Sequence, residues 1–310
     1  MFRIRNKFAL LMLKAVLSWF FNLFVYGTNA QDLKTIVLDS NTSIFRIENF
    51  KSKFVRNRGI EIYLPQGYDS SKVYKVLYMQ DGQNLFDQVV AYQHEPLLLH
   101  ECILRNNIHD LIIVGIWNTE KRFREYLPNE IYKSLRRKDK KMIRKEYGGI
   151  PEGDLYIRFL FEELKPFIEE HYTVSRRAED CFIGGISMGG LISCYIALKY
   201  PEQFSTALCL STHWPLSVIH DRERIPDAYL DILKNYLPSS SNSRFYFDYG
   251  TDNIDGWYKK YQLRVDQLFN VEKISSINNF SSQEFDGASH AMSDWKKRID
   301  IPIRFLYKIN

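Results

Sequence analysis

Apolar positions along the chain recur with two different spacings. Val76 to Met79, Leu111 to Trp117, Cys181 to Ile186, Ala207 to Ser211 and Phe245 to Tyr249 are short apolar runs, which predict strands of a parallel sheet buried on both faces. Asp154 to Tyr172, Met188 to Tyr200, Asn253 to Phe269 and His290 to Tyr307 carry a helical pattern, with the last helix kinked or split near Pro302. Residues 31 to 65 differ. Alternation at Phe54-Val55 and at Ile60 to Leu64, broken at Arg56 to Gly59 and closed by Pro65-Gln66-Gly67-Tyr68, predicts antiparallel strands joined by turns. The fold class is therefore α/β, with a mostly parallel, doubly wound sheet preceded by antiparallel strands. In such a sheet reactive groups belong on loops at the carboxyl ends of the strands.

The first thirty residues obey neither spacing. Arg3, Arg5 and Lys7 precede an apolar run from Phe8 to Tyr26, and small and polar residues follow at Gly27 to Ala30. This order predicts a secretory signal peptide over residues 1 to 30, a secreted or periplasmic protein, and no stable membrane insertion after cleavage. A retained anchor is the alternative reading; Lys14 interrupts the run and argues against it. Residues 31 to 310 then form one domain.

The same segment changes the meaning of the charge. The chain holds 42 Lys and Arg against 37 Asp and Glu, a formal +5. Four of the basic residues lie in the first thirty positions, leaving 38 against 37. One basic stretch remains, an insertion at about 119–152, where Lys121 to Lys145 contains eleven basic and three acidic residues. It reads as a solvated helical excursion or as a basic rim beside a site. Without a nucleic-acid module it implies no nucleic-acid partner. Cys102, Cys181, Cys194 and Cys209 have no framework spacing, and Cys181 and Cys194 read as small core residues.

Gly185-Ile186-Ser187-Met188-Gly189 stands between an apolar strand and a helix, followed by Gly190. The five letters alone are a weak signal, but a strand before and a helix after are the setting of a nucleophile elbow. Small residues two before and two after Ser187 let strand and helix approach, and the Met188 amide becomes an oxyanion donor. A second donor is expected from Gln80-Asp81-Gly82-Gln83 after the strand Val76 to Met79, at the Gln83 amide, with Gly82 letting the backbone approach the substrate.

A base should follow the nucleophile, with an acid between them. His290, in the small-residue loop Asp286-Gly287-Ala288-Ser289-His290 after the strand-like Phe280 to Phe285, is the candidate base. His213, at the end of the run Ala207 to Ser211, either contacts substrate or is structural. Asp252 and Asp255, after the run Phe245 to Tyr249, are candidate acids, with Asp248 inside the strand as a third. No metal motif, phosphate loop or dinucleotide fingerprint is present, so no cofactor is implied.

These residues resemble a family of serine esterases in the α/β-hydrolase superfamily. The family includes feruloyl and acetyl xylan esterase domains, enterochelin-type siderophore esterases and mycolyltransferases. The resemblance covers nearly all of residues 31 to 310. It rests on Tyr63-Leu64-Pro65-Gln66-Gly67-Tyr68, the loop Gln80 to Asp87, Val114-Gly115-Ile116-Trp117-Asn118, Gly185 to Gly190, Leu210 to Pro215, Asp248-Tyr249-Gly250-Thr251 and Gly287 to His290. It implies an α/β-hydrolase fold, Asp255 as the acid, Trp117 and His213 near substrate, and hydrolysis of acyl esters on a glycan or siderophore-type conjugate. Acyl transfer by the same residues, or an inactive homologue that binds carbohydrate, are the alternatives. One departure falls in the substrate pocket: the family often has Trp-Asn after the Asp-Gly-Gln loop, where this chain reads Ala91-Tyr92-Gln93-His94-Glu95.

Overall fold

A computed structural model describes residues 33–37, 43–222, 224–237, 243–271 and 279–308. Nine strands form one sheet: β1 Leu33–Val37, β2 Ser43–Phe50, β3 Arg58–Tyr63, β4 Lys75–Gln80, β5 Leu111–Ile116, β6 Cys181–Ile186, β7 Thr206–Leu210, β8 Arg244–Gly250 and β9 Phe280–Phe285. Their spatial order is β1-β2-β3-β5-β4-β6-β7-β8-β9. The first pairings, through β3 with β5, are antiparallel, and all from β5 to β9 are parallel. Every residue of β5 and β8 is buried, and β5 accordingly reads as an unbroken apolar run while β8 carries Arg244 and Asp248 into the core. Along β4, Val76 and Tyr78 face one core while Leu77 and Met79 face the other, the two-residue period of a strand covered on both sides.

Helices supply both covers. Over one face lie α1 Leu99–Arg105 and, at the end of the chain, the Trp295, Ile299, Ile303 and Leu306 side chains. The insertion contributes α2 Arg122–Glu125, α3 Asn129–Ser134 and α4 Arg137–Glu146 to the opposite face. With them pack α5 Gly153–Phe159, a π-turn at Leu160–Leu164, α6 Lys165–His171, α7 Met188–Lys199, α8 Arg224–Tyr236 and α9 Lys259–Val271. The chain ends in α10 Met292–Arg298 and α11 Asp300–Tyr307.

Two expectations change. Phe54 and Val55 lie in a bend, not a strand, because the antiparallel partner of β3 is β2. The last helix is split near Pro302, as expected: the break falls at Ile299, and Pro302 lies in the first turn of α11, where its missing N–H costs nothing. The basic insertion is not a solvated excursion. Its Ile131, Leu135, Ile143 and Tyr147 are buried, and Arg58 of β3 grips Glu125 through two hydrogen bonds of 2.8 and 3.1 Å with neither side chain exposed. Asp139 on α4 takes both Arg222 and Arg224, which ties the insertion to the start of α8. All four cysteines are buried and free, in keeping with a core reading of Cys181 and Cys194. The expected signal peptide lies outside the described residues.

Candidate active site

β6 turns into α7 through Ser187, whose φ of 62° and ψ of −121° are strained for a residue with a side chain. The turn is held from several sides. The Ser187 amide donates to Leu210 O at 2.9 Å, and Ser187 O accepts from Leu191 N at 3.1 Å and His213 N at 3.2 Å. A Cβ on Gly185 would stand 2.6 Å from Gly189 C, so strand and helix meet as closely as two glycines allow. Met188 opens α7, and the first amides of a helix have no carbonyl partner within it.

The candidate acid comes from the turn after β8. Asp255 sits in a 3₁₀ turn, Asn253–Trp257, fully buried, and its Oδ1 meets His290 Nδ1 at 2.5 Å. The other carboxylate oxygen accepts from Ser211 Oγ at 2.7 Å and from the Gly250 amide at 3.0 Å. Burial alone would raise the Asp255 pKa; the bond and charge of His290, with the Ser211 and Gly250 donors, outweigh it and hold the carboxyl below its usual range. Asp252 is exposed and its side chain caps no helix, while Asp248 is paired with Arg298 at 3.0 Å. Of the three candidate acids, Asp255 is the one bonded to His290. Trp295 packs its edge against the His290 ring, 4.8 Å between centroids.

The loop after β4 forms the opposite wall. Gly82–Asn84 is a 3₁₀ turn, and the Asn118 amide donates to Gln83 Oε1 at 3.2 Å. Gly82 has a packing requirement of its own. A Cβ there would lie 2.2 Å from Gly115 C, so the glycine lets the loop lie on β5, and Asp81 takes the left-handed backbone at φ 58°. Asp81 is clamped by Arg122 through two bonds of 2.7 Å and by Asn118 Nδ2 at 2.6 Å.

These walls enclose a cavity of about 630 Å³. Ser187, His290 and Gln83 all line it, together with Asn118, Arg122 and Trp295. Tyr92, Gln93 and Glu95 line it too, so the segment that departs from the family pattern is part of the pocket wall. Arg122 and Trp295 were not singled out in the sequence. Arg122 is one basic residue in a basic run, and Trp295 is one apolar position on a helix.

Two expected substrate contacts stand elsewhere. Trp117 is outside the cavity lining; its ring fills the space beside Gly59 and lies under the Arg46 guanidinium at 5.0 Å. His213 is buried behind Ser187, its Nδ1 2.6 Å from Tyr258 Oη. Burial, with the His290 and Arg122 charges, pushes its pKa down to about 3, so it stays neutral. Its place in the core follows from its backbone bond to the elbow.

Comparison with known proteins gives the family and the fold. A family model described as "Putative esterase" matches residues 52–301. The uncharacterized protein YbbA of Bacillus subtilis (strain 168) is 31% identical over 160 residues, which cover 51% of this chain and 58% of YbbA. The chain spans little more than half the length of the curated relatives it matches. Among solved structures, an IroE-like serine hydrolase from Shewanella oneidensis superposes with a TM-score of 0.60 at 20% identity, over 86% of this chain and 78% of that one. The enterobactin esterase FES from Shigella flexneri gives 0.60 at 18% identity, over 91% and 61%. At these identities the structures establish the fold, which is that of the α/β-hydrolases.

Proposed function

The chain belongs to the Putative esterase family, and from that membership we propose that it is a serine esterase. It cleaves carboxylic acyl esters through Ser187, His290 and Asp255. The observation that carries this reading is the 2.5 Å His290–Asp255 bond opening on the same cavity as a serine held at positive φ. With Nδ1 on the carboxylate, Nε2 is left for the serine. Ser187 attacks the ester carbonyl as His290 takes its proton, and the Met188 and Gln83 amides receive the oxyanion. Collapse of the tetrahedral species returns the proton to the departing alcohol and leaves an acyl-serine, which water clears by the same steps in reverse roles. Asp255, ionised and buried, holds the imidazole tautomer and offsets the imidazolium charge.

The substrate reading follows from what the walls offer. Gln83, Asn84, Gln93 and Asn118 bring carboxamides, Tyr92 and Trp295 bring aromatic surface, and the Arg122 charge is already met by Asp81. Such a lining suits the hydroxyl and carbonyl oxygens of a glycan or siderophore-type ester better than an isolated anion. Export by the segment at residues 1 to 30, into a secreted or periplasmic location, belongs to the same proposal. Among the described residues no helix is long and apolar enough to cross a membrane. The reading is tested with a panel of p-nitrophenyl and sugar esters. Turnover lost in Ser187→Ala and in His290→Ala is expected; turnover that survives Ser187→Ala overturns it.

A further inference from the structure

Beneath the Asp255–His290 couple lies a second set of charges that the proposed chemistry does not use. Ser211 Oγ accepts from Trp295 Nε1 and from Arg298 Nη2, each at 2.8 Å. Those two donors fill the hydroxyl's lone pairs, so its single hydrogen is committed to Asp255 Oδ2. Arg298 Nη2 also donates to Asp248 Oδ1 at 3.0 Å, yet stands 3.9 Å from Asp255 Oδ2. The Asp248 and Asp255 side chains are wholly buried and Arg298 is 3% exposed. Trp295 and Arg298 are three residues apart on α10, so one short helix directly after the His290 loop brings both donors to one serine.

Two carboxylates share one guanidinium, and the unit keeps one net negative charge. The closer contact belongs to Asp248. We propose that Asp248 and Arg298 are positioning residues for the Asp255–His290 couple: Asp248 holds the guanidinium off Asp255, so that Asp255 keeps its charge for the imidazolium while Ser211 fixes its orientation. The inference rests on the reading of His290 as the base. Burial raises the Asp248 carboxyl to about 6 against the opposing Arg298 charge. Protonation of Asp248 would therefore release the Arg298 charge onto Asp255.

The other titratable or charged groups facing these residues are Tyr246 beside Asp248, His213, Tyr258, Arg122 from the opposite wall and Asp294 on α10. None of them is altered in the test. Asp248 Oδ1 alone receives both Arg298 Nη2 and the Ser211 amide, at 3.0 and 3.2 Å, so the carbonyl of an asparagine can take both bonds. Three proteins are compared: wild type, Asp248→Asn, and Asp248→Asn with Arg298→Met, which removes the pair together. The readouts are the His290 ring titration by NMR and the acidic limb of the kcat/KM profile for a p-nitrophenyl ester.

Asp248→Asn should move the midpoint of both down by about half a unit and lower the plateau rate. The double variant should bring the midpoint back to the wild-type position or above it. A purely structural role would lower the plateau of both variants without opposite shifts. An unmoved midpoint in Asp248→Asn, or a double variant shifted the same way as the single, overturns the proposal. Should the double variant not fold, Asp248→Asn with Arg298→Lys keeps the positive charge and must reproduce the downward shift, and its failure to do so has the same force. Wild type that turns over no ester refutes the esterase reading, whereas the NMR titration still reads the charge arrangement by itself.

Discussion

Replacing Gly82 with alanine puts the geometry of the Asp81-Gly82-Gln83 loop to a quantitative trial. The added Cβ would lie 2.2 Å from Gly115 C, 2.5 Å from Ile116 N and 2.6 Å from Gly115 O, all backbone atoms of a strand buried in the centre of the sheet. No side chain can rotate away to make room, so the loop itself must retreat by about 1 Å to reach ordinary contact. That retreat carries the Gln83 amide with it. A displacement of this size, or loss of one oxyanion donor, costs about a hundredfold in turnover. The donor acts on charge that develops only in the transition state, so the loss should appear in kcat, with KM changed by no more than about threefold. Overpacking should also cost about 1–3 kcal/mol of stability. Initial rates with p-nitrophenyl acetate, taken well below the variant's own unfolding midpoint, measure the first effect, and thermal denaturation measures the second. A folded Gly82→Ala protein whose kcat stays within about threefold of wild type would refute the donor assignment and the reasoning behind it.

Further expectations are sharper in direction than in size. Asp255→Asn should lower kcat by about a thousandfold or more, while Asp252→Asn, an exposed residue, leaves it nearly unchanged; steady-state kinetics of the two side by side decide the acid. Asp248 is an acid whose pKa is raised on folding, to about 6 from 3.8. The native state therefore holds a proton the unfolded chain has lost between those values, and this contribution to stability declines by up to about 3 kcal/mol as pH rises through that window. Urea unfolding of wild type and Asp248→Asn from pH 4 to 7 isolates it, and parallel curves would contradict it. Glu125→Ala leaves the buried Arg58 guanidinium without its partner and should cost about 3–5 kcal/mol, whereas an insertion that was merely a solvated excursion would lose almost nothing.

How much of this could be read from the sequence depended on whether a signal was local. Ser187 was legible because an elbow needs small residues at fixed spacing on a strand and a helix that are adjacent in the chain, and His290 because a short small-residue loop follows a strand. Strands such as Leu111–Ile116 and Cys181–Ile186 fall where the apolar pattern places them. What escaped depends on contacts between distant segments. Glu125 pairs with Arg58 across 67 positions and Asp248 with Arg298 across 50, and nothing in a basic run or a strand announces either. Helix α8, by contrast, was legible and missed: Ile225, Tyr229, Ile232 and Leu233 recur at helical spacing and are buried, and Pro226 lies in its first turn, where a missing N–H costs nothing. His213 and Trp117 were misplaced because contacts with distant segments decide where they point. A polar or aromatic residue at the end of a strand points to the site only if its rotamer does, and here each turns into packing against Tyr258 or Gly59.

The central claim is that Ser187 is a nucleophile activated by the His290–Asp255 couple. Its most direct measurement is mass-spectrometric mapping of the adduct formed with a fluorophosphonate probe. The account predicts one adduct, on Ser187, absent from Ser187→Ala and formed far more slowly in His290→Ala and Asp255→Asn. An unlabelled wild-type protein, or a label that persists in Ser187→Ala, would contradict it.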